Sequence, residues 1–439
     1  MSTQDSIRLL CLADIHLGRS SSSVLPEELD FTCFTPRKAW DEVVEYAISS
    51  NNGIDAILLA GDVVNQNDLF FETYHAFEKG VRRLLEAGIH LIAVAGNHDA
   101  SVFRKLVRSI ASPHFHLLGQ EGKWESVALT LKNRTIRFDG WSFPDDHVSY
   151  NPLAKYKKEL ADPDPHEMAI GLLHCDCPGV ALSPYAPVKI EDFRGLPPRA
   201  WVLGHSHKSV VFEHNPLIFY CGSLQGLDPG ESGDRGAHLL DIYPDGKLQK
   251  TFVSFAKVRW EKVTCSLADA SLEDFEETLI QTLQTLHLSL KSESPFLYAV
   301  GCRLFLHGRT SAFKKIPSNL EKLKKKIIFS QSNLSGKEVY YFIEKVENQT
   351  QPDYDLQRLA ETADPAGLLA KHLIALQAKG AEAHQLCQKA RQKLVTAQMK
   401  YAQFADVPLP DEKLLELMLQ SGFYSLNLLL SQKDASHEA

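Results

Sequence analysis

IRLLCLADIH, residues 7–16, joins a short, largely apolar run to an aspartate and a histidine two positions apart. The run 7–13 is apolar on both faces and bounded by polar residues, so it predicts a buried strand rather than a helix. Asp14 and His16 follow at the strand end, where side chains two apart project to the same side. The same combination, a buried strand that ends in a polar cluster, recurs along the chain. This recurrence is what predicts the fold class.

Further apolar runs of four to five residues occupy 56–60, 91–95, 169–173, 200–203 and 217–221. Helical patterns lie between several of them: Thr35-Pro36 is a typical helix start, and Gly88 is a typical helix stop. Strands that alternate with helices predict an α/β sheet covered by helices. The alternating segment 124–141 predicts a hairpin, so we expect mixed sheets. Asp139 and Asp228 are expected to be solvated loop carboxylates, with a supporting role behind the metal ligands as the alternative.

Five polar clusters stand at the ends of these runs. They are Asp14-Ile15-His16, Gly61-Asp62, Gly96-Asn97-His98-Asp99, His174, and Gly204-His205-Ser206-His207. In open α/β sheets, ligands bind at the carboxyl ends of the strands. We therefore expect the five clusters to form one site.

The clusters offer carboxylate, amide and imidazole ligands for two divalent metal ions that share one carboxylate. The predicted ligands are Asp14, His16, Asp62 and His207 for one ion, and Asp62, Asn97, His174 and His205 for the other. This mixed N and O set suits Mn²⁺, Fe²⁺ or Zn²⁺, and Mg²⁺ less well. Two adjacent ions of this kind activate water and neutralise phosphoryl charge, which is the chemistry of phosphate-ester hydrolysis.

His98 and Asp99 are the candidate catalytic residues. A histidine beside a metal ligand is suited to protonate a leaving oxygen, so His98 is the predicted general acid. Asp99 is predicted to orient the His98 ring. The Cys175-Asp176-Cys177 segment is expected to pack near the pocket, with a third metal site as the alternative.

Composition limits the class of protein. The chain has 439 residues, a formal net charge of -8 and eight cysteines without a CxxC pair. These values predict a cytoplasmic protein with reduced thiols, and any nucleic-acid binding would need a local basic surface. No signal peptide or apolar stretch of about 20 residues is visible, so no membrane association is expected. Changes in pattern predict domains at 1–250, 251–350 and 351–439, the last one helical.

The ordered polar clusters resemble those of the calcineurin-like metallophosphoesterase superfamily. The segments 13–19, 222–226, 233–236 and 258–261 resemble its double-strand-break-repair nuclease branch, the SbcD/YhaO-type DNA exonucleases. The resemblance covers about residues 7–265. It implies an αββα core with mixed sheets, a small α+β capping domain that binds DNA, and a helical C-terminal tail.

The same resemblance implies a function and partners. The function is Mn²⁺-dependent hydrolysis of DNA phosphodiesters, as a 3′-5′ exonuclease, an endonuclease or both, in DNA repair or defence. The partners are an ABC-type (SMC-like) ATPase, bound by the C-terminal helices, and a second copy of the chain in a homodimer. Two apolar stripes are compatible with such docking, and an intramolecular bundle is the equal alternative. They are Leu369, Leu373 and Leu376, and Leu414, Leu415, Met418 and Leu419.

Substrate contacts are predicted at Arg19, Asn65 and Arg104. Asn65 stands where many break-repair nucleases have histidine or aspartate, and asparagine can hydrogen-bond a phosphate without exchanging protons. The densest positive run comprises Lys314, Lys315, Lys322, Lys324, Lys325 and Lys326. It is a candidate for DNA contact, although such runs are usually solvated surfaces.

Two other function classes stay open. One is another phosphoesterase of the same core, such as a phosphatase or a cyclic-nucleotide phosphodiesterase. Protein phosphatases of this core carry Gly-Asp-x-x-Asp-Arg-Gly and Gly-Asn-His-Glu, whereas this chain has Asn65 and Asp99 at the distinguishing positions. The other class is a scaffold that has lost catalysis, against which the complete ligand set argues.

Overall fold

The structure is a computed structural model that describes residues 5–438 apart from several gaps. The gaps are 22, 24, 66–70, 165–166, 181, 269–273, 291–293, 311–315, 317–325, 334–335, 353 and 399–409. The chain divides into two compact units. The first comprises residues 1–263, 280–304 and 323–346, and the second comprises 264–279, 305–322 and 347–439.

Two six-stranded mixed sheets form the centre of the first unit. Their strands are β1 (Ile7–Leu12), β2 (Ala56–Ala60), β3 (His90–Val94), β4 (Phe115–Leu117), β5 (Glu125–Leu131), β6 (Arg134–Trp141), β7 (Met168–His174), β8 (Ala200–Gly204), β9 (Val210–His214), β10 (Leu217–Tyr220), β11 (Gly236–Ile242) and β12 (Leu248–Ser254). The first sheet has the order β12-β11-β1-β2-β3-β4, and the second has the order β5-β6-β7-β8-β10-β9.

The central strands of both sheets run parallel. In the first sheet β1 to β4 are parallel and β11 and β12 are antiparallel to their neighbours. In the second sheet β6, β7, β8 and β10 are parallel, while β5 and β9 are antiparallel at the edges. The predicted α/β fold with mixed sheets is therefore confirmed.

Helices α1 (Pro36–Ile48), α2 (Phe71–Glu86) and α3 (Ala100–Ile110) cover the first sheet. In α1 the buried residues Ala39, Trp40, Val43, Val44 and Ala47 recur at helical spacing, so one face of the helix joins the core. A short helix, α4 (Tyr156–Glu159), lies in the loop before β7. Helices α1, α2 and α3 form one outer layer of the domain.

Alternation along β1 explains how the layers stack. Leu10 and Leu12 belong to the core that includes the helices, whereas Leu9 and Cys11 belong to a second core that includes residues of both sheets. Successive side chains of a strand point to opposite faces, so β1 is buried on both. The outer face of the second sheet is covered by a third core that contains Trp141, Trp201 and Phe193.

The segment after β12 forms an α+β arrangement. A four-stranded sheet has the order β13-β14-β17-β16, and a two-stranded one pairs β15 with β18. Their bounds are β13 (Val258–Ser266), β14 (Ala299–His307), β15 (Arg309–Thr310), β16 (Ile327–Ser332), β17 (Glu338–Asn348) and β18 (Gln351–Pro352), with helix α5 (Asp274–Leu290) between β13 and β14. Val258, Trp260 and Phe342 pack with Phe34 in one core.

The second unit contains the C-terminal helices α6 (Leu356–Ala360), α7 (Pro365–Ala378), α8 (Ala381–Gln398) and α9 (Asp411–Glu438). Leu373 of α7 is buried with Phe423 and Leu426 of α9, and Leu369 and Leu419 pack against them. Much of the leucine pattern predicted for docking is thus used inside this bundle. Among the described residues, no helix is both long and apolar enough to cross a membrane.

Candidate metal centre

The loops that follow β1, β2 and β8 are held in an uncommon backbone conformation. Asp14, His16, Asp62 and His205 have φ values of 49°, 51°, 52° and 107°. Non-glycine residues in this left-handed region cost roughly 1–3 kcal/mol each, and they persist where the surrounding structure imposes them. Here the loops lock each other, because Asp14 donates its backbone N–H to the carbonyl of Gly61 at 3.1 Å, and His16 donates to that of Asp62 at 3.0 Å.

Two glycines allow the loops to come this close. A Cβ added to Gly96 would lie 2.2 Å from Asp62 Oδ1, and one added to Gly204 would lie 2.1 Å from the Ala60 carbonyl oxygen. Both contacts are far shorter than any van der Waals distance. Glycine at these positions is therefore a packing requirement of the polar clusters.

Asp14, His16 and His207 form the first half of the centre, with ligand atoms that all lie within 4.8 Å of one another. The Nε2 atoms of His16 and His207 face each other at 3.0 Å. His207 Nδ1 lies 2.5 Å from Glu231 Oε1, a contact in which Nδ1 carries the proton and donates. This tautomer leaves the Nε2 lone pair of His207 pointing at His16, an arrangement that suits a cation between them.

Asp62, Asn97 and His174 form the second half. His174 Nδ1 donates to the carbonyl oxygen of Ala60 at 3.0 Å, so its Nε2 lone pair faces the pocket. That Nε2 atom lies 3.4 Å from Asp62 Oδ2 and 3.2 Å from Asn97 Oδ1. In the neutral form of His174, oxygen and nitrogen acceptor atoms converge at this point, and a cation could take the place of the Nε2 proton. The His205 ring lies beside them, with its centroid 5.4 Å from that of His174.

Asp62 stands between the halves. Its Oδ2 atom lies 3.8 Å from His16 Nε2 in the first half and 3.4 Å from His174 Nε2 in the second. Asp14 also reaches both, because its carboxylate lies within 4.8 Å of ligand atoms of Asp62 and His174. The sequence assigned Asp14 to one ion only. Seven predicted ligands therefore meet in one pocket, and two carboxylates, rather than one, lie within reach of both halves.

Burial and crowding shift the ionisation of these groups. Burial raises the pKa of Asp14 to about 6 and lowers the pKa of His16 to about 3. Burial would also lower the pKa of His174, but the adjacent Asp62 carboxylate raises it to about 9. Burial opposes ionisation of Asp62, yet His174 and His16 hold its pKa below the usual value. The pocket thus concentrates negative charge that a cation would stabilise.

His98 and Asp99 occupy opposite sides of their loop. The His98 side chain is exposed, its ring centroid lies 5.3 Å from that of His16, and its backbone N–H donates to Asp62 Oδ1 at 2.8 Å. Asp99 is fully buried and accepts backbone N–H groups from Val63 and Gly96, each at 2.7 Å. Among the described residues the His98 ring makes no hydrogen bond with Asp99. Asp99 joins two loops instead of orienting His98 as the sequence suggested.

Glu231 is a functional candidate that the sequence did not reveal. Its Oε1 atom holds His207 Nδ1, while Oε2 accepts the backbone N–H of Leu227 at 2.9 Å. A carboxylate that fixes the tautomer of a metal-binding histidine is a common supporting partner. The only feature of the sequence that could have indicated this role is that Glu231 lies in the glycine-rich loop 226–233.

The predicted substrate contacts differ in position. Arg19 follows the first ligand cluster, and its Nη2 atom lies 3.7 Å from Asp228 Oδ2. Asn65 is 8% exposed and donates its backbone N–H to Leu17, so little of its side chain faces solvent. Arg104 lies on α3, with Nη1 3.7 Å from Glu121 Oε1.

Two other predictions concern lysines and cysteines. Of the lysine run, Lys326 is exposed and the other members lie outside the described residues. Cys175 and Cys177 are buried in the third core, and burial raises the pKa of Cys177 to about 12. This agrees with packing rather than metal binding.

Residues 7–209 match the model of the calcineurin-like phosphoesterase family. This part of the chain is thus similar to that family, whose members are metal-dependent hydrolases of phosphate esters. "Uncharacterized metallophosphoesterase YhaO" of Bacillus subtilis is 26% identical over 219 residues, which cover 49% of this chain and 52% of that protein. "DNA double-strand break repair protein Mre11" of Methanopyrus kandleri is 24% identical over 293 residues, or 62% of this chain and 61% of that protein.

The chain thus spans between half and two thirds of the length of these relatives. Among solved structures, a dimetal phosphatase from Danio rerio covers 57% of this chain and 99% of its own, with 9% identity and a TM-score of 0.34. That likeness is too low to carry an argument about the fold or the function. The similarity to the calcineurin-like phosphoesterase family rests on the match of residues 7–209.

Proposed function

We propose that this protein is a Mn²⁺-dependent nuclease that hydrolyses phosphodiester bonds at DNA ends. The observation that carries the proposal is the combination of a buried, cation-fitting pocket with an exposed histidine beside it. The similarity to an Mre11 protein, which is named for DNA double-strand break repair, supports DNA as the substrate class. A role in DNA repair or defence, and an SbcD-type exonuclease or endonuclease activity, are parts of this proposal.

The residues divide the chemistry between them. The six ligands of the two halves, together with His205, would hold two cations, which when bound supply Lewis acidity to the phosphoryl oxygens and lower the pKa of the attacking water. His98 presents its ring on the solvent side, beside His16, because its backbone N–H is fixed to Asp62. From there it delivers a proton to the leaving oxygen of the substrate.

The test is manganese-dependent shortening of linear double-stranded DNA by the purified protein. The His98→Gln variant should lose roughly 10²–10⁴-fold in rate, the usual contribution of a general acid, while its metal content stays equal to that of the wild type. His214→Gln, at another exposed histidine, is the matched control and should retain both. Turnover of phosphopeptides or small phosphate esters alone, with no DNA cleavage, would assign the protein to the phosphatase alternative.

The proposal extends to partners. The C-terminal helices keep Leu368, Leu417, Tyr424 and Leu428 exposed outside their own core, and we propose that they bind a coiled-coil ABC-type ATPase. Leu417→Glu with Leu428→Glu should abolish co-purification with that ATPase and leave DNA cleavage by the isolated protein intact. A homodimer is also proposed, and light scattering coupled to gel filtration would measure it.

A further inference from the structure

A cleft of about 510 Å³ opens beside the ligand loops of the first unit. One wall is the stretch 17–20, which continues directly from the predicted ligand His16. Other walls come from the turn Phe31–Phe34, from the first turns of α1 and from the start of α2. Its volume lies within the range of roughly 300–1,000 Å³ that is typical of small-ligand sites.

Two cations of α1, Arg37 and Lys38, line the cleft together with Asp41 of the same helix, a carboxylate that both influence electrostatically. Arg37 is exposed and Lys38 is half-buried. Across the part of the chain that the structure describes, neither makes an ion pair or a side-chain hydrogen bond. Arg19 lines the same cleft, and its 3.7 Å separation from Asp228 exceeds a hydrogen-bond length. Cationic groups that lack a side-chain hydrogen bond, beside a phosphoesterase centre, suit the phosphates of a bound strand.

The turn Phe31–Phe34 supplies an aromatic surface. Phe34, at one end of the turn, is 1% exposed and packs in the core with Trp260, whereas Phe31, at the other end, is 53% exposed and lines the cleft. An exposed aromatic ring next to cationic side chains is typical of surfaces that bind single-stranded nucleic acid, because every base has a face on which to stack.

Two carboxylates limit how much negative charge the cleft accepts. Asp41 and Glu72 also line it, against the three cations Arg19, Arg37 and Lys38. The cleft therefore suits a short stretch of backbone with one or two phosphates rather than a long duplex.

We propose that this cleft binds a nucleotide of the single strand next to the scissile phosphate, with Phe31 stacked on the base and Arg37 and Lys38 on the neighbouring phosphates. The inference rests on the proposed nuclease function, because it says where the substrate strand of that nuclease lies. It assigns to α1 and the Phe31–Phe34 turn a role that the metal-ligand motifs do not include.

The experiment compares two substrates in three variants. The variants are Phe31→Ala, the double change Arg37→Gln with Lys38→Gln, and a control in which the exposed Lys157 and Lys158 become glutamine. The substrates are a short single-stranded oligonucleotide and bis(p-nitrophenyl) phosphate, which carries no neighbouring base or phosphate to occupy the cleft. The ratio of kcat/KM for the oligonucleotide to that for the small ester should fall about tenfold in both cleft variants and stay at the wild-type value in the control.

Salt dependence gives a second readout. Oligonucleotide binding, followed by fluorescence anisotropy in EDTA, should lose about 1.4 from the slope of log K against log salt in the Arg37/Lys38 variant, because two single-strand phosphate contacts are removed. Circular dichroism and Tm confirm that each variant is folded. Ratios and slopes equal to those of the lysine control would overturn the cleft assignment and leave the nuclease proposal standing. Turnover of the small ester with neither binding nor cleavage of any oligonucleotide by the wild type would overturn both.

Discussion

The two halves of the metal centre are supported in different ways. In the first half, the ring of His207 is held by a side chain, Glu231. In the second half, the ring of His174 is held by the backbone carbonyl of Ala60, and the loop that carries Asn97 is tied to the β2 loop through Asp99. The ring position in the first half thus depends on a replaceable side chain, whereas the ring position in the second half depends on buried groups of the sheet and its loops.

This difference predicts different consequences of mutation. A support made of core backbone cannot be altered without disturbing the fold, whereas a supporting side chain near the surface can. We therefore expect changes in the second half to lower the free energy of unfolding, and changes in the first half to lower metal affinity alone. Four predictions test or refine this contrast.

Asp62 belongs to both halves, so its loss should have the largest effect. Asp62→Asn keeps the shape and an acceptor for the His98 N–H, but it removes the charge that lies 3.8 Å from His16 and 3.4 Å from His174. Phosphodiester hydrolysis should fall by about 10³-fold or more, near 4 kcal/mol, with loss of both ions. Metal analysis and turnover of a small diester measure this, with the exposed Asp145→Asn as control. A variant that still binds two ions would show that Asp62 does not link the halves.

Asp99 tests the buried support of the second half, because its carboxylate ties the backbone of two loops together. Asp99→Asn replaces one acceptor oxygen by an NH₂ group that faces a buried backbone N–H of Val63 or Gly96. The free energy of unfolding should fall by about 3 kcal/mol, because a buried donor then lacks an acceptor. Urea unfolding measures it, and His98→Gln, one residue away but exposed, should change stability by less than about 0.5 kcal/mol. Equal stability of the two variants would contradict the proposed support.

His238 provides a reference for acid sensitivity outside both halves. It is 1% exposed and lies 2.8 Å from Ser209 Oγ and 3.0 Å from Lys250 Nζ. Burial and Lys250 lower its pKa to about 3, below the unfolded value near 6.5. As pH falls the unfolded chain therefore takes up the proton first, so the stability that this group contributes is complete above about pH 6.5 and is lost progressively towards pH 3.

Between pH 7 and pH 5 this loss should amount to about 2 kcal/mol in the free energy of unfolding. The His238→Gln variant should show a correspondingly shallower decline between these pH values in urea titrations. The same slope in wild type and variant would place the acid sensitivity in the metal centre instead.

Glu231 tests the side-chain support and should give the smallest effect. Glu231→Gln removes the charge that fixes the tautomer of His207, so affinity for one of two Mn²⁺ ions should fall about tenfold, near 1.4 kcal/mol, without a change in Tm. Calorimetric titration with Mn²⁺ should then resolve one weakened and one unaltered site. Glu213→Gln, on the edge strand β9, is the control. Equal weakening of both sites would mean that the halves are not independently supported.

The sequence predicted the parts of this molecule that depend on short-range pattern. The run 56–60 became β2 within the same bounds, and Pro36 opens α1 as the turn signal indicated. The ligands could be listed because each stands directly after a buried strand, and parallel strands bring their ends to one edge. Local pattern and tertiary position coincide at these residues.

Long-range partners were not predictable in this way. Glu231 lies 24 positions from the histidine that it holds and in a loop, where carboxylates are usually solvated. Asp139 was expected to be such a solvated carboxylate, and that expectation was wrong: it is fully buried on β6 and pairs with Arg137 and Tyr156. In the sequence alone, a carboxylate such as Asp139 that is neutralised by Arg137 on the same strand cannot be distinguished from a carboxylate that faces water.

The left-handed backbone at Asp14, His16, Asp62 and His205 has a consequence for engineering. Glycine adopts this conformation without steric penalty, so a glycine at any of the four would relax the chain locally while deleting a ligand. A search for thermostable variants of this protein would therefore select glycine at these four positions and yield inactive molecules. Screening for hydrolysis as well as for melting temperature would prevent this.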